Sequence, residues 1–288
     1  MNNRQAEIAT LQWYLDHGVD EAVLDAAVDR YAVKPSAAAP GNLIENAPPE
    51  AQKPVSIVAS IQNDEIAPAL LGASEAKAAA VKLALAANTL EELREAIANF
   101  DGLSLKKTAT NLVFGDGNPK ADIMIIGEAP GADEDRTGKP FMGESGHFLD
   151  KILSAMALSR TDEDSVKSVY LSNILNWRPP GNRSPAPGEI DVSLPFIEKH
   201  IQLVKPRILI LCGGVAGQAL LGRSESISKL RKEWHDYTPQ TPELQVGIEP
   251  IPALASFHPA YLLRTPLQKK ALWADMIEIL KKKAELSK

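Results

Sequence analysis

The sequence predicts an α/β protein, a three-layer α/β/α sandwich built on a central, mostly parallel four-stranded sheet with an N-terminal helical extension. Three observations carry that expectation. Four short apolar runs, at residues 123–127, 169–175, 207–212 and 251–257, have the length and β-branched content of strands buried on both faces. Helical stretches alternate with them, as when parallel strands are joined by crossovers. The first run then breaks at Gly127-Glu128-Ala129-Pro130-Gly131, so that strand ends in a shaped loop at the carboxyl edge of the sheet, where open α/β folds hold their ligands.

Taken in order, residues 1–34 form a helical segment, with Ile8, Leu11, Trp13, Tyr14 and Leu15 spaced for one apolar face of a helix over 4–32. Residues 35–73 are rich in proline and alanine and poor in aromatics, which is linker composition. The α/β domain spans 74–288. It opens on an alanine-rich helix over 76–87 with Ser74 as a candidate N-cap, followed by a second helix for which Thr89 and Glu92 make a capping box. That helix stops at Phe100-Asp101-Gly102. Residues 103–112 are irregular, and 113–119 read as a short strand and a tight turn. Helices are expected at 144–156, at 187–204 with a bend at Pro195, at 215–221 after Gly213-Gly214, and at 268–283.

At 288 residues the chain can bury a full core. The N-terminus is polar and no long uncharged apolar run follows, so a cytoplasmic protein with no membrane partner is expected, and a monomer. The lone cysteine, Cys212, lies in an apolar strand and reads as a small core residue. The net charge of −6 is unevenly placed. Residues 1–100 hold 7 Lys and Arg against 14 Asp and Glu, whereas residues 101–288 hold 24 against 23. The acidity belongs to the N-terminal part. The C-terminal part therefore meets phosphate at low electrostatic cost.

A parallel sheet brings the ends of its strands side by side. Three of these ends carry chemistry. The first gives Glu128, the acids Asp133, Glu134 and Asp135, and Phe141 within Gly138-Lys139-Pro140-Phe141-Met142-Gly143; the second gives Asn173 and the stiff segment from Arg178 through Asn182 and Arg183 to Pro185. The fourth strand gives His258 and then Leu262-Leu263-Arg264. Each has a plain alternative. Glu128 either orients a water or is a solvated loop acid. Asn173 either satisfies nearby backbone or presents a donor and an acceptor to a flat ligand. Phe141 is either core or a stacking face, the arginine segment either a phosphate contact or a rigid connection, and the two leucines either a wedge into a base stack or a first helical turn.

Together these pieces resemble the uracil-DNA glycosylase superfamily, most closely its iron–sulfur type. The matching motifs are Gly127-Glu128-Ala129-Pro130-Gly131 with Glu134-Asp135, Gly138-x-Pro140-Phe141-x-Gly143, Tyr170-x-x-Asn173, Arg178-Pro179-Pro180-x-Asn182-Arg183 and His258-Pro259-x-Tyr261-Leu262-Leu263-Arg264. The resemblance implies hydrolysis of the N-glycosidic bond of deoxyuridine in DNA to leave an abasic site. It implies roles as well: Phe141 stacks on the extruded base, Asn173 reads its edge in a pocket shared with Gly127 and Ala129, and His258 stabilises charge on the departing base. The Glu128 loop places the water, and Arg178, Asn182, Arg183, Leu262, Leu263 and Arg264 contact DNA. Uracil-containing DNA and its abasic product are the implied partners. A non-catalytic binder of abasic or damaged DNA is the alternative. The iron–sulfur relatives hold a four-iron cluster on four cysteines; the matching positions here are Phe100, Leu103, Trp177 and Ser193, so no cofactor or metal is expected. The segment Asp135-Arg136-Thr137-Gly138 also lacks the basic, histidine-bearing insertion of relatives that attach to abasic DNA, so turnover is expected.

Overall fold

The computed structural model describes residues 72–286. The predicted helix at 4–32 and nearly all of the linker lie outside the described residues. The sheet has six strands, in the order β1-β3-β2-β4-β6-β5. The four expected strands form its parallel centre: β2 (Ile123–Gly127), β3 (Val169–Asn173), β4 (Ile208–Cys212) and β6 (Ile251–Ser256). The count of four is corrected by two antiparallel edges. One is the two-residue β1 (Asp116–Gly117) against β3, the other β5 (Trp234–Tyr237) against β6. An edge strand is wetted along one side, so β5 follows Arg231-Lys232-Glu233 and shows only a brief alternation of buried His235 and Tyr237.

The period-two geometry of a strand splits each apolar run between two layers. Met124, Ile126, Leu209, Leu211, Ala253 and Ala255 pack on one face. They meet α1 (Ala73–Ala86), α2 (Leu90–Asn99), α5 (Pro187–Val204) and α6 (Gly214–Leu221). Ile123, Ile125, Val169, Leu171, Ile208, Ile210 and Cys212 pack on the other face, with α4 (Glu144–Ala155), α8 (Pro259–Arg264) and α9 (Lys269–Leu286). Fully burying such side chains contributes about 1.5–3 kcal/mol apiece. The result is the expected α/β/α layering. The buried Cys212 is part of it, and burial pushes its thiol up to about 12, which leaves it un-ionised and inert.

Local boundaries follow their chemistry with two exceptions. The Thr89 side chain accepts from the Glu92 N–H at 3.1 Å, as the capping box requires. Ser74 is not a cap, because α1 begins at Ala73 with Gly72 before it. The acids expected in the first loop instead form a short helix, α3 (Ala132–Thr137), whose first turn carries Asp133, Glu134 and Asp135 where the helix dipole favours negative charge. Among the described residues, no helix is long and apolar enough to cross a membrane.

Candidate active site at the carboxyl edge of the sheet

The ends of β2, β3, β4 and β6 enclose an open cavity of about 660 Å³. Glu128, Phe141, Asn173, Gly213 and His258 all line it, so residues far apart in sequence meet as the parallel topology requires. Gly127 lies in register with Asn173 across the β2–β3 pair. The fit there excludes any side chain at 127. A Cβ on Gly127 would come within 2.4 Å of Asn173 Oδ1 and 2.8 Å of Phe141 Cζ. Pairing continues beyond the strands, with the Leu175 N–H donating to the Glu128 carbonyl at 3.1 Å, which anchors the backbone of the acid. Burial raises the Glu128 carboxyl above the usual carboxylate range, opposed by the Ser184 hydroxyl. A half-buried carboxylate of raised basicity is suited to accept a proton or orient a water.

His258 caps α8, and Pro259 supplies its first helical residue. The Ala260 N–H donates to His258 Nδ1 at 3.2 Å, which occupies that lone pair. Burial holds the imidazole down at about 4, with Glu134 opposing and Arg264 reinforcing. At neutral pH the ring is therefore uncharged, and its one proton sits on Nε2 as a donor. Gly213, at φ 96°, takes a backbone that side chains avoid, beside His258; a Cβ there would be in ordinary contact with the His258 Cβ at 3.4 Å. The Phe141 and His258 rings lie nearly parallel, with centroids 5.8 Å apart and planes at 19°. Phe141 adopts a left-handed backbone at φ 55°, a conformation that costs a non-glycine residue on the order of 1–3 kcal/mol.

Several residues sit elsewhere than expected. Leu262 is wholly buried in the core under α8, so it is not a wedge; the first turn of a packed helix needs an apolar inward residue, and Leu262 is it. Leu263 is half-buried, and the fully exposed leucine of this segment is Leu267. Arg178 is turned into its own loop. Its Nε donates to Asn182 Oδ1 at 2.7 Å and its guanidinium faces Asp135 at 3.9 Å, so it braces that segment and does not line the cavity. Arg183 does line it, but Glu189 holds its guanidinium at 2.6 and 2.9 Å. Asn182, Arg183 and the exposed Arg264 border the opening. Glu134 also borders it, yet its carboxylate accepts from the N–H groups of Gly131, Met142 and Gly143. Asp135 accepts from Thr110 and Asn111. These acids hold loops together. Tyr261, part of the last matching motif, lines the cavity as well. Ser145 at the start of α4 and Ile227 and Ser228 of the short helix α7 (Ile227–Leu230) line it without having been expected, since no quoted motif includes them.

The positions matching the cluster cysteines offer no thiolate. Phe100, Leu103, Trp177 and Ser193 are all buried, the three larger side chains in the apolar layer with α1, α2 and α5. The Phe100 ring meets Phe196 edge-on at 5.2 Å and lies so close under Gly102 that a Cβ there would come within 2.2 Å of it. Among the described residues, Trp177 Nε1 and Ser193 Oγ find no hydrogen-bond partner, at about 1–3 kcal/mol for each buried polar group. Among the described residues no group of three or more His, Cys, Asp or Glu is arranged to hold a metal ion. A four-iron cluster does not fit this set of side chains.

Fold and rim thus define a doubly wound α/β protein with a mixed polar and aromatic cavity at the carboxyl edge of its sheet. The family model described as the uracil DNA glycosylase superfamily matches residues 114–281, and the chain belongs to that family, which makes it a DNA glycosylase-type hydrolase. It is 33% identical over 187 residues to a type-4 uracil-DNA glycosylase of Pyrobaculum aerophilum, covering 65% of this chain and 91% of the relative. A type-4 enzyme of Archaeoglobus fulgidus is 30% identical over 195 residues, 66% of this chain and 92% of its own. A type-5 uracil-DNA glycosylase of Thermus thermophilus is 35% identical over 134 residues, 43% and 59% of the two chains.

Proposed function

We propose that this protein hydrolyses the N-glycosidic bond of deoxyuridine in DNA, releasing uracil and leaving an abasic site as the first step of base excision repair. The observation that carries the reading is an imidazole and a buried amide facing one cavity: His258, whose Nδ1 accepts from the Ala260 N–H, and Asn173 at the end of β3, beside the Phe141 ring. The nucleotide is extruded from the helix to reach them, since side chains lining a cavity cannot enclose a base that is still stacked in the duplex. Phe141 stacks on uracil and Asn173 pairs with its edge. As the bond from C1′ to the base breaks, its electron pair leaves with uracil and the sugar becomes cationic. The Nε2–H of His258 donates to a uracil carbonyl oxygen where that charge gathers, an interaction stronger in the transition state than before it. A water oriented by Glu128 then forms the new bond at C1′, and its proton passes to the Glu128 carboxylate and on to the uracil anion, which departs as neutral uracil.

The direct test is a uracil-containing oligonucleotide incubated with the protein and then treated with alkali. Strand cleavage at the uracil is expected; intact DNA, under conditions where a control glycosylase works, rejects the reading. Acidification provides a second check. Because the imidazole sits at about 4 instead of the ordinary 6.5, its neutral form is already complete at pH 7 and is lost only as pH falls toward 4. The expected profile of single-turnover rate therefore has no inflection attributable to His258 near 6.5. An inflection there that vanishes in His258→Asn would contradict it.

We further propose that the protein works without an iron–sulfur cluster, with Phe100, Leu103 and Trp177 filling the volume by apolar packing. Protein purified without oxygen should carry no stoichiometric iron or acid-labile sulfide. Finding both at cluster stoichiometry would defeat this.

A further inference from the structure

Phe141 carries the face on which the base is proposed to stack, yet its backbone is in a conformation that side chains other than glycine avoid. Something must hold it there. The Arg160 guanidinium lies under the loop, its side chain 9% exposed. Its Nη1 donates to the Pro140 carbonyl at 3.1 Å and its Nη2 to the Phe141 carbonyl at 3.0 Å. From the other side the Glu134 carboxylate takes the N–H groups of Met142 at 2.8 Å and Gly143 at 3.0 Å. One charged group thus grips the two carbonyls and an opposite charge grips the next two N–H groups. Further guanidinium contacts reach Met142 Sδ at 3.9 Å, Asp150 on α4 at 2.8 Å and Asp116 at 3.3 Å. Asp116 pairs with Leu171 in β3, two residues before Asn173. The floor of the loop is equally tight, for a Cβ on Gly146 would lie 1.9 Å from the Phe141 carbonyl oxygen.

We infer that Arg160 is a positioning residue: it fixes the Phe141 ring at the height that Asn173 requires, by tying the Phe141 carbonyl to Asp116 of β1, the edge strand paired with the strand that bears the amide. The inference rests on the function proposed above, with a role for a residue outside the cavity. Only a planar fork of donors can serve two carbonyls and two carboxylates at once. Lysine keeps the charge and loses the fork. Arg160→Lys is therefore the informative variant, with Asp116 and Asp150 still neutralised.

The experiment measures both the loop and the chemistry. Hydrogen exchange of the peptides covering 140–147 should accelerate in Arg160→Lys while its thermal midpoint stays near that of the wild type. Single-turnover uracil release should slow by roughly 10- to 100-fold, the scale on which a misplacement of about 1 Å acts. Introduced into Phe141→Ala, the same change should slow release no further, because the ring it positions is gone. Unchanged exchange in the loop overturns the inference whatever the activity. So does an equal loss of rate in both backgrounds, which is the mark of a merely structural role. A wild-type protein that releases no uracil defeats the proposed function instead, and the exchange measurement then decides the role of Arg160 by itself.

Discussion

Replacing His258 by alanine is expected to slow single-turnover uracil release by about 100- to 1,000-fold, the usual cost of removing one donor aimed at developing charge. Binding of uracil-containing DNA should change far less, since the donor acts mainly as the bond breaks. The Ala260 N–H occupies Nδ1, so the uncharged ring has a single proton and presents it from Nε2. Alanine removes the helix cap as well, a loss of about 0.5–2 kcal/mol in stability. His258→Asn retains a capping acceptor and so separates the effects. If the asparagine variant releases uracil as fast as the wild type, the imidazole has no part in the chemistry.

The parts of this molecule that were legible in its sequence are those decided by burial. Residues 123–127 and 208–212 are apolar because they are covered on both faces, and such runs announce themselves in any context. The edge strand at 234–237 did not, since one side of it is wetted and its neighbours are charged. The acids at 133–135 read as a loop in the sequence because a short helix has no room to display a period; Glu134 and Asp135 serve the backbone N–H groups of other segments, at Met142, Gly143, Thr110 and Asn111, while Asp133 pairs with Arg136 of its own helix. Arg178 and Leu262 show the same limit from opposite directions. One is a cation spent on its own loop, the other an apolar residue spent on the core, and composition alone treats both as available to a ligand. What a motif does transmit is which residues stand at strand ends. Glu128, Asn173 and His258 share a cavity for that reason.

Arg160 could not be found this way. It follows α4 by several residues and belongs to no motif at a strand end, and its partners are carbonyl oxygens, which every sequence possesses. Only the left-handed backbone at Phe141 makes the need for it visible. The cluster positions illustrate the reverse case. That no cysteine stands at the four positions matched through the resemblance was readable in the sequence, but that Phe100 lies against Phe196 and under Gly102 required coordinates.

The second large effect is expected at Asn173. An amide at the end of β3, 3% exposed, has been withdrawn from water and must be matched by whatever enters the cavity. Uracil presents a donor at N3 and an acceptor at O4, and a carboxamide offers the complement of each. Asn173→Asp keeps the shape and removes the donor, leaving a charge facing the uracil carbonyl. A mismatch of that kind in a buried site costs on the order of 1–3 kcal/mol or more, which predicts at least a roughly 10- to 100-fold loss of uracil release. Cytosine reverses the pattern with an acceptor at N3 and an amino donor at C4, so the aspartate variant should discriminate less against it. The measurement is a pair of single-turnover assays, on uracil- and cytosine-containing strands, with thermal midpoints recorded to detect the burden of a buried carboxylate. Uracil release at the wild-type rate, with cytosine still refused, would mean that the base is read by some other group and that the amide at 173 serves only the backbone around it.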